Sequence, residues 1–134
     1  MVEMTDNPTL STIERLELAA DSGTGVTFVG SSMAAEAGPV QVSWREIHDD
    51  ARAVGAALQA RGLVPGDHVA ILGPTSRELI TIIRGCWMAG LASMVLPLPM
   101  RMGSLDVFID STRGRILHGD AKLLLIDDLL ADFY

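Results

Sequence analysis

Apolar residues recur along the chain at two spacings, one typical of helices and the other typical of strands. Ile47, Ala51, Val54 and Leu58 follow one another at steps of four, three and four, which places them on one face of a helix. Residues 69–72 form instead a continuous apolar run, which is typical of a strand covered on both faces. Because these two patterns alternate along most of the chain, the sequence predicts alternating helices and strands.

The pattern divides the chain into nine helices and strands that follow an irregular start. In chain order they are a helix over 12–20, strands over 26–29 and 40–42, a helix between Ser43 and Gly62, a strand over 69–72, a helix between Thr75 and Gly90, a strand over 92–96, a helix between Ser104 and Gly119, and a strand over 122–126. A further helix begins within 127–133. Residues 1–10 show no period and are expected to form a flexible arm, and 30–39 a turn or loose loop.

The order of these elements predicts an α/β fold. The strands 26–29 and 40–42 would pair as a hairpin after the N-terminal helix. From residue 40 onward, strands alternate with helices, which implies right-handed crossovers and a mostly parallel sheet with helices on both faces. We therefore predict one α/β segment over 11–134, with the strands 92–96 and 122–126 buried in its sheet.

Three of the predicted helices begin with a hydroxyl residue and a glutamate three positions apart, the spacing of a capping box. The pairs are Ser11 with Glu14, Ser43 with Glu46, and Thr75 with Glu78. In this motif the hydroxyl accepts a backbone N–H of the first turn and the glutamate reaches back to the cap. The third helix would turn Leu79, Ile83 and Trp87 inward.

Composition excludes several classes of function. The net charge of −7 and a pI near 4.7 argue against nucleic-acid binding, which needs clustered cations. A lone cysteine, Cys86, excludes an internal disulfide, and its apolar neighbours favour a buried, inert thiol over a nucleophile. No apolar stretch is long enough to span a membrane, and the acidic start does not match a signal peptide. We expect a cytoplasmic location.

The titratable residues show no catalytic or metal-binding pattern. His48 is predicted on the charged side of a helix, His68 at a turn-to-strand junction and His118 near a helix end, each solvated or capping. The adjacent carboxylates of 49–50 and 127–128 diverge by about 100° if they are helical, so solvated faces are the better interpretation. No spacing of histidines and acids indicates a metal site.

Two glycine-containing turns are candidate phosphate sites. Gly23-x-Gly25 precedes a strand, whereas the dinucleotide-binding motif follows one. Residues 73–76 do follow a strand and open a helix, but Pro74 lacks a donor and Glu78 brings a negative charge to the helix start. Helix capping is therefore favoured over anion binding. From the residues alone we assign no catalytic, cofactor-binding or metal-ligating residue.

Several stretches resemble the start of adenylate-forming enzymes, the superfamily of acyl-CoA synthetases, luciferases and nonribosomal peptide adenylation domains. They are 42–48 (VSWREIH), 53–58, 62–72 (GLVPGDHVAIL), 74–79 (PTSREL) and 87–90 (WMAG). Residues 96–101 (LPLPMR), 103–105 and 112–116 (TRGRI) are similar to fatty acyl-AMP ligases in particular. The resemblance covers about 12–134, and it suggests that this chain is part of the N-terminal subdomain of such an enzyme.

The resemblance implies an ATP-dependent, AMP-forming ligase that needs Mg²⁺ and passes a fatty acyl group to an acyl carrier protein or polyketide synthase. The family's phosphate loop, ribose-binding aspartate and catalytic lysine would all lie beyond Tyr134. The chain alone is therefore expected to be inactive and to hold no cofactor. The loop 97–101 follows a strand end, where ligands gather in such sheets, but a packing turn is favoured there.

Two other hypotheses remain open at this point. The chain could be a naturally short, nonenzymatic binding or assembly module derived from such a ligase, or an unrelated small nucleotide-binding α/β domain. Under any of the three, parallel strands need covered faces and protected edges. We therefore predict that exposed sheet edges lead to a homodimer or to exchange of elements between chains.

Overall fold

A computed structural model describes residues 9–29, 38–98 and 104–132. The predicted arm over 1–10, the loop over 30–39 and the loop over 97–101 fall largely outside these ranges. The chain divides into two compact units, 1–48 and 49–134, which are described separately.

The first unit contains a helix and a hairpin. Helix α1 spans Thr12–Ala20, and strands β1 (Gly25–Phe28) and β2 (Val40–Ser43) pair antiparallel, so the predicted helix and hairpin are confirmed. The Ser11–Glu14 capping box is present as well. Glu14 accepts the Ser11 backbone N–H at 2.6 Å, and the Glu14 N–H donates to Ser11 Oγ at 3.2 Å.

Helix α2 spans Trp44–Ala60, and the division between the two units falls within it. Its predicted capping box is confirmed, since the Ser43 N–H donates to Glu46 Oε2 at 3.0 Å and the Glu46 N–H donates to Ser43 Oγ at 3.1 Å. Ile47, Ala51 and Leu58 are buried, as the apolar spacing predicts. Gly62 follows with φ +90°, the left-handed conformation that ends many helices.

The second unit is a three-stranded parallel sheet with helices on both faces. Its elements are β3 (His68–Leu72), α3 (Arg77–Met88), β4 (Ala92–Val95), α4 (Leu105–His118), β5 (Ala121–Ile126) and α5 (Asp128–Ala131). The strand order is β4-β3-β5, and β3 pairs parallel with both neighbours. The predicted parallel α/β architecture is confirmed.

Strand β3 separates two hydrophobic cores. Val69 and Ile71 point to the face covered by α2 and α3, where they pack with Leu58, Leu79 and Cys86. The alternate residues of β3 point to the opposite face, which is covered by α4 and α5 through Phe108, Ile116 and Leu130. This alternation is the period-two geometry of a strand, and it explains why both faces of β3 had to be apolar.

The structure corrects three local predictions in the second unit. Ser76, not Thr75, caps α3, and its Oγ accepts the Leu79 N–H at 3.1 Å. Trp87 is 42% exposed rather than turned inward. Strands β4 and β5 were both predicted to be buried, but each is an edge strand, because among the described residues each pairs with β3 alone; Ala92 and Val95 of β4 and Lys122 of β5 are exposed.

Candidate functional site

A cleft of about 230 Å³ opens at the carboxyl ends of β3 and β5. Its floor is apolar and its rim is polar. The floor residues are Ile71, Leu72, Leu79, Ile82, Leu125 and Ile126, and the rim residues are Gly73, Ser76, Glu78, Asp127 and Asp128. The two strand ends meet closely there, since a Cβ placed on Gly73 would lie 3.1 Å from Cβ of Asp127.

The position of the cleft follows from the connections of the sheet. After β3 the chain enters α3, which covers one face, and after β5 it enters α5, whose Leu130 packs against the other face. Neighbouring parallel strands whose following helices diverge in this way leave a crevice between their carboxyl ends. That crevice is where ligands bind in open α/β sheets. The geometry therefore makes this cleft the candidate site of the second unit.

Both helices that start at the cleft already have capping side chains. Ser76 Oγ accepts the Leu79 N–H, and Asp127 Oδ1 accepts the Leu129 N–H at 2.9 Å. Asp127 is held in place by its own backbone N–H, which donates to the Leu72 carbonyl at 2.9 Å. The free donors that would attract an anion to a helix start are thus partly used within the protein.

The charge of the cleft opposes a nucleotide. Glu78, Asp127 and Asp128 line it, and no lysine or arginine is among the described residues that do so. The nearest cation along α3, Arg77, forms an ion pair with Asp50 at 2.8 Å. A triphosphate would meet three carboxylates and, among the described lining residues, no cation, so these residues do not fit ATP by themselves.

The structure brings together two stretches that the sequence analysis considered separately. Residues 73–76 and the acidic pair 127–128 lie on the same rim, although each was interpreted as capping or solvated. Sequence reasoning missed this convergence because it depends on β5 lying next to β3, which no local pattern reveals. Gly25 of the other glycine turn lies instead against the backbone of β2, where a Cβ would clash with Val42.

The histidines do not form a site with one another. His48 is 3% exposed and its Nδ1 has no hydrogen-bond partner among the described residues, so the prediction of a solvated His48 was wrong. His68 Nδ1 lies 2.6 Å from the Gly119 carbonyl, and because a carbonyl only accepts, this nitrogen is the donor. His118 is exposed in the last turn of α4, as predicted.

The lone thiol is buried, as predicted. Cys86 is fully inaccessible, and desolvation by burial raises the pKa of its thiol from 9.0 to about 11. Within the described ranges, no group of three or more histidine, cysteine and acidic residues is arranged to hold a metal ion. The helices of the same ranges are all too short or too polar to cross a bilayer.

Comparison with known proteins defines the class. The sequence pattern of AMP-binding enzymes matches residues 23–128, which is most of the chain, so the protein belongs to the AMP-binding enzyme family. The match includes both strands around the candidate cleft.

Individual relatives agree with this family. The chain is 29% identical over 90 residues to a putative ligase of Mycobacterium tuberculosis, covering 67% of this chain and 16% of that protein. It is 32% identical over 88 residues to a fatty acid–[acyl-carrier-protein] ligase of Streptomyces coeruleorubidus, covering 65% of this chain and 15% of that one. The chain thus spans about a sixth of the length of these relatives.

A solved structure supports the fold. One of the fatty acyl-adenylate ligases of E. coli and L. pneumophila superposes on 90% of this chain with a TM-score of 0.81, at 24% sequence identity. The superposition covers 21% of the larger chain. The three-stranded unit and its flanking helices are therefore a part of the adenylate-forming fold.

Proposed function

We propose that this chain is the opening part of an AMP-forming ligase that activates a fatty acid and transfers it to an acyl carrier protein. In this reaction a carboxylate oxygen attacks the α-phosphate of ATP, and pyrophosphate leaves with Mg²⁺ neutralising the charge. The carrier's thiol then attacks the acyl carbonyl, loses its proton and displaces AMP. Holding two anions together while charge develops is the main physical demand on such a site.

The observation that carries the proposal is the family match over residues 23–128. The finer assignment to fatty acids is supported by the similarity to the Streptomyces fatty acid–[acyl-carrier-protein] ligase. It is also supported by the resemblance of 96–101 and 112–116 to fatty acyl-AMP ligases. Both features favour fatty acids as the substrate class. We also propose that the reaction takes place in the cytoplasm.

Within this proposal, residues 9–132 act as a scaffold rather than as the catalytic centre. The acidic rim of the cleft opposes phosphate, and no lysine or arginine is among the described residues that line it. The groups that bind the nucleotide would then come from other parts of the enzyme. Purified chain mixed with ATP, Mg²⁺ and a fatty acid is accordingly expected to release no pyrophosphate.

The decisive experiment uses the complete reading frame. The coding region is read past Tyr134, the whole product is expressed, and exchange of labelled pyrophosphate into ATP is measured with a series of fatty acids and with an aromatic acid as control. We expect exchange with fatty acids, and acyl transfer to holo-acyl carrier protein in preference to coenzyme A.

Three results would contradict the proposal in different ways. Exchange with the aromatic acid alone would assign another substrate class. Release of pyrophosphate by the 134-residue chain would show that it contains a complete site. A stop codon directly after Tyr134 in the native gene would favour the nonenzymatic module instead.

A further inference from the structure

We draw no further inference here: the strongest candidate, the apolar cleft with an acidic rim at the carboxyl ends of β3 and β5, carries nothing, because it belongs to the site already described and nothing among the described residues shows what covers it in a chain that spans about a sixth of the length of its relatives.

Discussion

Gly55 of α2 and Gly85 of α3 face each other where the two helices cross. A Cβ placed on Gly55 would lie 3.0 Å from the carbonyl oxygen of Gly85. A Cβ on Gly85 would lie 2.7 Å from Cγ1 of Val54 and 2.9 Å from the carbonyl oxygen of Ala51. The absence of both side chains lets the helix backbones come into contact beside the first hydrophobic core.

Gly85→Ala is therefore expected to destabilise the protein by about 1–3 kcal/mol, because the new methyl group meets backbone that cannot move aside. Urea unfolding followed by circular dichroism measures this change. The matched control is Gly114→Ala in α4, where nothing lies within 4 Å of the added Cβ. That substitution should stabilise by roughly 0.5–1 kcal/mol, since alanine favours helix. Equal effects at the two glycines would refute the close helix contact.

The corrected start of α3 gives a second prediction. Ser76→Ala removes the hydroxyl that accepts the Leu79 N–H and should cost about 1 kcal/mol of unfolding free energy. Thr75→Ala removes a neighbouring hydroxyl on an exposed residue and should change stability by less than about 0.5 kcal/mol. Thermal unfolding of both variants distinguishes the two assignments. A larger loss for Thr75→Ala would restore the capping box predicted from the sequence.

Burial of Cys86 predicts a particular dependence of stability on alkaline pH. The folded pKa of about 11 lies above the ordinary 9.0, so the folded state holds the thiol proton more tightly than the unfolded state does. The stability contributed by the neutral thiol is complete below pH 9 and falls as the pH rises toward 11. Urea midpoints across this range should fall more steeply for the native chain than for Cys86→Ala.

The same burial should protect the thiol from reagents at neutral pH. A disulfide reagent is expected to react with Cys86 only after urea is added. Rapid labelling of the folded protein, or parallel pH profiles for the native chain and Cys86→Ala, would mean that the thiol is accessible.

The hydroxyl group of Thr112 is buried among apolar side chains. Thr112 is 1% exposed and lies between Phe108 and Ile116 on the sheet-facing side of α4, and its Oγ1 has no partner among the described residues. Thr112→Val keeps the shape and removes the unsatisfied oxygen, so it should raise stability by about 1 kcal/mol. Thr112→Ser, which keeps the oxygen and loses the methyl group, should lower it. A destabilised Thr112→Val would indicate an unseen hydrogen-bond partner.

Self-association is expected to use the edge of β4. Strand β4 carries no charged side chain and Val95 is 49% exposed, whereas β5 carries Lys122, a residue type that discourages edge pairing. Sedimentation velocity over a range of concentrations should show a dimer that Val95→Lys weakens. Leu18→Lys makes the same chemical change on α1, at a residue 60% exposed, and should have no effect. A monomer at every concentration would reject this prediction.

Local patterns predicted most of the helices and strands because each is encoded within a few residues. Two of the three capping boxes are formed as expected, and the apolar stripe of α2 is buried. Trp87 shows where the reasoning failed. Successive steps of four residues rotate by about 40° around a helix, so Trp87 lies about 80° from Leu79. Cys86 lies only about 20° from Leu79 and takes the buried position.

The prediction that His48 is solvated was wrong for a related reason. His48 lies on the same side of α2 as Gly55, which is buried against α3 but does not count as apolar in a hydrophobic pattern. The buried face of α2 is therefore wider than its aliphatic stripe suggests. The candidate cleft was beyond local reasoning altogether, since Asp127 and Gly73 become neighbours only through the strand order β4-β3-β5.

That strand order also determines when the sheet can form during synthesis. The central strand leaves the ribosome before either of its neighbours, and its second partner is complete only at Ile126. Until then one edge of the most apolar strand is unsatisfied, and a nascent chain that stalls early presents it to chaperones or to other nascent copies. The sheet can thus close only after Ile126 has been synthesised, and codon changes that slow the ribosome between β4 and β5 should lower the yield of folded protein without altering a single side chain.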